Sequence, residues 1–143
     1  MTNDDMATKP APTILLVEDS EDDAYFFQRA LSKSGSQCSL KHVADGGAAV
    51  KLLGEALSNG SRMPDLVFLD LKMPVMNGFE VLEWIRRQQL SCPPPVIVLS
   101  GSDQDADRVR ALELGASEFV VKPITAGGLA DRLQNLTAAA AIP

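Results

Sequence analysis

Three acids, a hydroxyl and an amine stand directly after short apolar runs in this chain. Glu18 and Asp19 follow residues 13–17, Asp70 follows 66–69, Ser100 follows 96–99 and Lys122 follows 119–121. Gathered in one place, such a set has a defined chemistry. Carboxylates crowded within a few ångströms repel one another, which raises their proton affinity unless a cation neutralises them. A hard divalent ion such as Mg²⁺ suits a few carboxylates plus waters and leaves room for phosphate oxygens. A carboxylate can act as a nucleophile toward phosphorus. Phosphoryl transfer needs mainly positioning and neutralisation of the equatorial oxygens, which cation, ammonium and hydroxyl supply.

Taken singly, each residue has a plainer reading. Acids after strands are common caps and turn formers, and Asp70 before Leu71-Lys72-Met73-Pro74 suits a turn. Lys122 before Pro123 suits a solvated lysine, and Ser100 an ordinary loop hydroxyl. What favours a shared site is their joint delivery, so the elements that carry them decide the matter.

Residues 13–17 form a continuous, β-branched apolar run, as expected of a strand buried on both faces of a parallel sheet. Ser20 with Asp23 gives a variant capping box opening a helix that carries Ala24, Phe27 and Leu31 and stops at Gly35. Residues 40–44 read as a second strand. Asp45 then caps a helix bearing Ala49, Leu52, Leu53 and Leu57, and 58–61 form a loop. Residues 66–69 are a third strand. Asn77 and Glu80 make an N-x-x-E cap ahead of Val81, Leu82 and Ile85. Pro93, Pro94 and Pro95 exclude helix interior and lead into a fourth strand at 96–99. Ser102 or Asp103 is expected to cap a helix through Val109 and Leu112 that stops at Gly115. Residues 119–121 are a fifth strand, and a last helix runs from about Ala126 toward Ala140. This alternation predicts an α/β fold, a parallel sheet with helices on both faces. In such sheets ligands bind beyond the carboxyl ends of the strands, near the reversal in strand order.

The remaining composition is that of a soluble globular protein. The 143 residues, 45% hydrophobic and 22% charged, suit one domain, read as spanning 13–138, with a flexible tail at 1–12 and a C-terminal tail at 139–143. A net charge of -6 argues against binding nucleic acid or an anionic membrane. No apolar run approaches the roughly 18 residues of a membrane span. The opening MTNDDMATKP lacks the apolar stretch of a secretory signal, so a cytoplasmic location is expected. Cys38 and Cys92 do not form a metal-type pair and are expected to be reduced thiols. His42, the single histidine, is placed in the second strand, away from the site edge. Trp84 and the Met residues read as packing or surface.

The segments ILLVEDSEDD (14–23), DLVFLDLKMPVMNGFEVL (65–82), VIVLSGS (96–102) and GASEFVVKP (115–123) together make the chain resemble the receiver domains of two-component response regulators across residues 13–138. The SEDD start and the loop near 58–64 look like the stand-alone receivers that partner bacterial phytochromes and related hybrid kinases. The resemblance implies a flavodoxin-like (βα)5 doubly wound fold, five parallel strands in order 2-1-3-4-5. It implies that Asp70 is the phosphoacceptor. Asp19 would ligate Mg²⁺ (or Mn²⁺) directly and Glu18 directly or through water, with Asp70 and the backbone carbonyl of Lys72 completing the protein ligands. Lys122 would pair with the phosphoryl group, Ser100 would donate a hydrogen bond to it and move toward it, and Phe119 would turn inward as the switch aromatic. The Lys122-Pro123 peptide is cis in many such relatives. Glu18 stands where many of them carry Asp, and Phe119 where many carry a tyrosine.

Expected partners are a histidine kinase, hybrid kinase or phosphotransfer protein, and a downstream protein, with a homodimer possible. Arg108, Arg110 and Glu113, with Asp131 and Arg132, are candidates for the output surface. Lys72 and Ser102 would flank the water that hydrolyses the acyl phosphate. Because the chain ends soon after the fifth helix, output through a protein contact, a phosphate relay or dimerisation is expected, and a switch rather than a turnover enzyme. The alternative is a phosphorylation-independent scaffold on the same fold. A haloacid-dehalogenase-type hydrolase would need a second acid where Lys72 stands, and a dinucleotide-binding enzyme would need G-x-G-x-x-G where Glu18-Asp19-Ser20 stands.

Overall fold

The computed structural model describes residues 11–141. Strands and helices alternate: β1 (Thr13–Val17), α1 (Glu21–Lys33), β2 (Ser39–Val43), α2 (Gly46–Asn59), β3 (Leu66–Asp70), α3 (Gly78–Arg87), β4 (Val96–Ser100), α4 (Asp105–Glu113), β5 (Glu118–Val121) and α5 (Ala126–Ala141). All neighbouring strands pair in parallel, in the order β2-β1-β3-β4-β5. This is the flavodoxin-like arrangement, with the reversal in strand order at β1 and β3.

The continuous apolar runs are explained by two cores rather than one. Side chains alternate along a strand, so Leu15, Val17, Val67, Leu69 and Val98 pack against Ala49 and Leu53 of α2, Val81, Leu82 and Ile85 of α3, and Ala111 of α4. Ile14, Leu16, Phe68, Ile97 and Leu99 face Ala24, Phe27 and Leu31 of α1 and Leu129 and Leu133 of α5. Phe27 meets Phe68 edge to face at 4.9 Å. Each fully buried Leu, Ile or Phe contributes roughly 1.5–3 kcal/mol, so the three central strands are held from both faces. The edge strand β2 is largely exposed or half-buried, and Leu57, expected on the inner face of α2, is exposed.

Three helix starts follow the sequence signals. Ser20 Oγ accepts from Asp23 N at 3.2 Å and Asp45 Oδ1 from Ala48 N at 2.7 Å. Asn77 and Glu80 cap reciprocally, each side chain accepting the other's backbone N–H, which satisfies two orphan donors at once. The start of α4 departs from expectation. Its N-cap is Gln104, with no side-chain cap bond. Neither Ser102 nor Asp103 caps it: the Asp103 carboxylate pairs with Arg108 at 2.6 Å, while the Ser102 hydroxyl is buried without a hydrogen-bond partner and its backbone N–H donates to Ser100 Oγ. Val109 and Leu112 are exposed, and α4 buries only Ala111.

The chain ends differ from the expected boundaries. Residues 1–10 of the expected N-terminal tail lie outside the described residues. Pro12 is tied to the sheet, its carbonyl accepting from Ser39 N at 2.8 Å. Helix α5 continues to Ala141, past the boundary drawn at 138, and residues 142–143 lie outside the described part.

Candidate functional site

Parallel pairing brings every strand's carboxyl end to one edge of the sheet. Asp70 and Ser100 are the last residues of β3 and β4, and Glu18 and Lys122 are the first beyond β1 and β5. At that edge Glu18, Asp19 and Asp70 each offer a carboxylate oxygen, and the three oxygens lie within 4.8 Å of one another. Glu18 and Asp70 are buried, at 2% and 6% exposure, and Asp19 is exposed.

Lys122 enters the cluster from the far side of the sheet. Its Nζ lies 2.7 Å from Glu18 Oε1, 2.8 Å from Asp23 Oδ2 and 3.5 Å from Asp70 Oδ1. The Lys122-Pro123 peptide is cis. Glu18 Oε2 accepts from Ser20 N at 3.2 Å, and Asp70 Oδ1 is 3.4 Å from Lys72 N. Burial pushes the Asp70 carboxyl up to about 7; the Lys122 charge opposes this, and the neighbouring Glu18 adds to it. For Lys122, burial works against the charged form. The bonds to Asp23 and Glu18 and the charges of Asp70 and Glu18 outweigh it, and the ammonium is held above its usual range.

This donor set fits a hard divalent cation. All three groups are oxygen ligands, and opposed oxygens around Mg²⁺ stand about 4.2 Å apart, which a cluster spanning 4.8 Å can supply. One ammonium against three carboxylates leaves an excess of negative charge, which a divalent cation would neutralise.

The other expected members are placed less directly. Ser100 Oγ donates to Ser102 O at 2.9 Å and accepts from Ser102 N at 3.2 Å, so its hydroxyl is occupied by its own loop rather than by a carboxylate. Phe119 is buried opposite Val98 and lies on the sheet face shared by Val98 and Ser100. The Arg108 guanidinium covers its ring at 4.7 Å. The Lys72 side chain reaches across to α4, 3.9 Å from Asp107 Oδ2, an oxygen that is buried without a hydrogen-bond partner, as is Ser102 Oγ. The candidate surface residues are partly committed: Arg110 lies over Phe79 at 4.2 Å, and Arg132 pairs with Glu118.

Two residues take a part at the site that sequence reasoning did not assign to them. Asp23 was read as half of a capping box, yet its carboxylate holds Lys122. The available signal was its position on the first turn of α1, the helix end that faces the acidic edge. His42 was placed away from the site, yet its Nε2 is 2.8 Å from the Glu18 backbone carbonyl. Only the register of β2 against β1 reveals that contact, and register is a tertiary property.

The fold and this acidic edge are those of a receiver-type module. The description "Response regulator receiver domain" matches residues 14–134, and the chain belongs to that family. Among curated relatives, transcriptional regulatory protein AfsQ1 of Streptomyces coelicolor is 37% identical over 114 residues, 79% of this chain and 45% of AfsQ1. For six further curated relatives the chain likewise spans about half of their length, 42% to 50%. Among solved structures, the Mn(2+)-bound form of response regulator Rcp1 superposes with a TM-score of 0.68 at 32% identity, covering 89% of this chain and 92% of that one. The phosphorylated cyanobacterial phytochrome response regulator RcpA does so with a TM-score of 0.71 at 30% identity, covering 88% and 91%. Among the described residues no helix is long and apolar enough to cross a membrane.

Proposed function

We propose that the chain is a phosphoacceptor switch. Asp70 accepts a phosphoryl group from a phosphohistidine on a histidine kinase, hybrid kinase or phosphotransfer protein. Glu18, Asp19, Asp70 and the Lys72 backbone carbonyl hold Mg²⁺ or Mn²⁺. The observation that carries this reading is the meeting of three carboxylate oxygens within 4.8 Å with one lysine ammonium 3.5 Å from Asp70. The states in which two relatives were solved, Mn(2+)-bound for Rcp1 and phosphorylated for RcpA, support it.

When bound, the cation supplies neutralisation of the carboxylates and of the phosphoryl oxygens. The Asp70 carboxylate oxygen forms the new P–O bond as the P–N bond to the donor imidazole breaks, and the imidazole leaves with a proton from solvent. Lys122 balances charge on the phosphoryl oxygens. Ser100, released from Ser102, donates its hydroxyl to the new group, and Phe119 takes the space that Ser100 leaves. The surface of α4, β5 and α5 is thereby biased between two arrangements that a downstream protein or a second copy reads. Water later hydrolyses the acyl phosphate past Lys72 and Ser102. The chain acts in the cytoplasm as a switch, without turnover of a soluble substrate.

The test is mass spectrometry of the protein incubated with acetyl phosphate and Mg²⁺. The reading requires a labile phosphoryl adduct that is absent without Mg²⁺ and absent in Asp70→Asn. No adduct, together with amide NMR shifts unmoved by beryllofluoride and Mg²⁺, would identify a phosphorylation-independent scaffold instead.

A further inference from the structure

An ammonium has three N–H donors, and the structure surrounds that of Lys122 with three carboxylates from three separate segments. Two are within hydrogen-bond distance, Glu18 Oε1 at 2.7 Å and Asp23 Oδ2 at 2.8 Å. The third, Asp70 Oδ1, is farther, at 3.5 Å. Glu18 therefore has two claimants: Lys122 in this structure and, in the phosphoacceptor reading, a divalent cation. A carboxylate oxygen committed to an ammonium is a poorer ligand for a second cation, because binding must first break a charge-assisted bond.

Asp23 stands apart from that competition. It is not among the three acids whose oxygens converge. Its place on α1 is set by the helix cap, in which its backbone N–H donates to Ser20 Oγ at 3.2 Å, so its carboxylate is left for Lys122. Resting on the phosphoacceptor reading, we propose that Asp23 is a positioning residue for Lys122. It gives the ammonium a second anionic seat on α1, so that Glu18 can turn to a cation while Lys122 stays beside Asp70. Without that seat Lys122 falls back on Glu18, and the cation site loses a ligand.

Loss of a negative charge near the site also weakens cation binding through space, and Asp22 separates the two effects. It is exposed one residue earlier on the same helical turn, and Asp22→Asn removes the same charge without touching Lys122. The full chain and its Asp22→Asn, Asp23→Asn, Asp23→Ala and Asp23→Glu variants are titrated with Mg²⁺ by calorimetry. The ¹H–¹⁵N signals of the Lys122 ammonium are recorded before and after Mg²⁺. Asp23→Asn and Asp23→Ala are expected to bind Mg²⁺ about 10-fold more weakly or worse, the lower end of the scale of one lost charge-assisted bond. Asp22→Asn should lose less than about 2-fold, the scale of an exposed charge. Asp23→Glu is expected to recover most of the affinity. The Lys122 ammonium signal should shift in metal-free Asp23→Asn and be retained in Mg²⁺-saturated wild type. Equal Mg²⁺ affinities for Asp23→Asn and Asp22→Asn, or a Lys122 signal indifferent to Asp23→Asn, would overturn this proposal and leave the phosphoacceptor reading intact. Wild type without saturable Mg²⁺ binding would overturn both.

Discussion

Gly78 brings the first turn of α3 against the backbone of Asp70 so closely that a Cβ there would lie 2.5 Å from the Asp70 carbonyl oxygen and 2.8 Å from Leu71 Cα. Gly78 N donates to Leu71 O at 2.9 Å, so the helix start and the turn carrying Asp70 form one rigid unit. The opposing atoms are backbone and cannot move aside as a flexible side chain would. Gly78→Ala is therefore expected to lose on the order of 2 kcal/mol of stability, measured by urea unfolding. It should also weaken Mg²⁺ binding more than an Ala substitution on the outer face of α3 does.

Asp70 makes the metal-free protein sensitive to pH in a defined direction. Its carboxyl is raised to about 7 in the fold, against about 4 in an unfolded chain. Between those values the native state holds a proton that the unfolded state has lost, so stability falls as pH rises from about 4 to 7 and is flat beyond. Asp70→Asn removes this dependence. In chelator-treated protein the variant should be more stable than wild type at pH 8, by up to about 4 kcal/mol, and should lose most of that advantage near pH 4.5. Thermal unfolding of both proteins at the two pH values measures it.

Val75 stands at φ 68 with its side chain fully exposed, at 102%. Left-handed backbone is costly for a β-branched residue, and here no burial offsets it. Val75→Asn is expected to raise stability by about 1 kcal/mol, which is several degrees in melting temperature for a domain of this size. An unchanged melting temperature would show that the loop does not hold this strain in solution.

Arg108 acts as a lid on Phe119. Its guanidinium lies 4.7 Å from the ring centroid and is braced by Asp103 at 2.6 Å. Arg108→Ala uncovers the ring and should cost about 1 kcal/mol. Arg108→Met keeps the cover without the charge and should recover part of it. The ring resonances of Phe119 are expected to move in both variants, and more in the alanine one.

How much of this was legible beforehand follows from the range of the forces involved. The five strands, the caps at Ser20, Asp45 and Asn77, and the helices of α1 to α3 were readable, because periodicity and capping act within a few residues. The same local logic failed at α4. There the Asp103 carboxylate pairs with Arg108 and the Ser102 hydroxyl is turned into the interior without a hydrogen-bond partner, so neither cap-forming side chain reaches the helix start. It also failed for Leu57, since propensity sees an apolar residue and not which face the neighbouring helix covers.

The chain by itself determined which residues reach the working edge. Parallel strands in βα alternation must end on the same side, so Glu18, Asp19, Asp70, Ser100 and Lys122 were bound to share a rim. Tertiary structure alone decided how they pair there. Lys122 lies nearer to Glu18 and Asp23 than to Asp70, Ser100 turns to Ser102, and His42 reaches the Glu18 carbonyl. Those choices rest on ångström differences between segments up to 104 residues apart, because hydrogen bonds and ion pairs select among near-equal partners by distance and angle, and spacing along the chain carries no record of either.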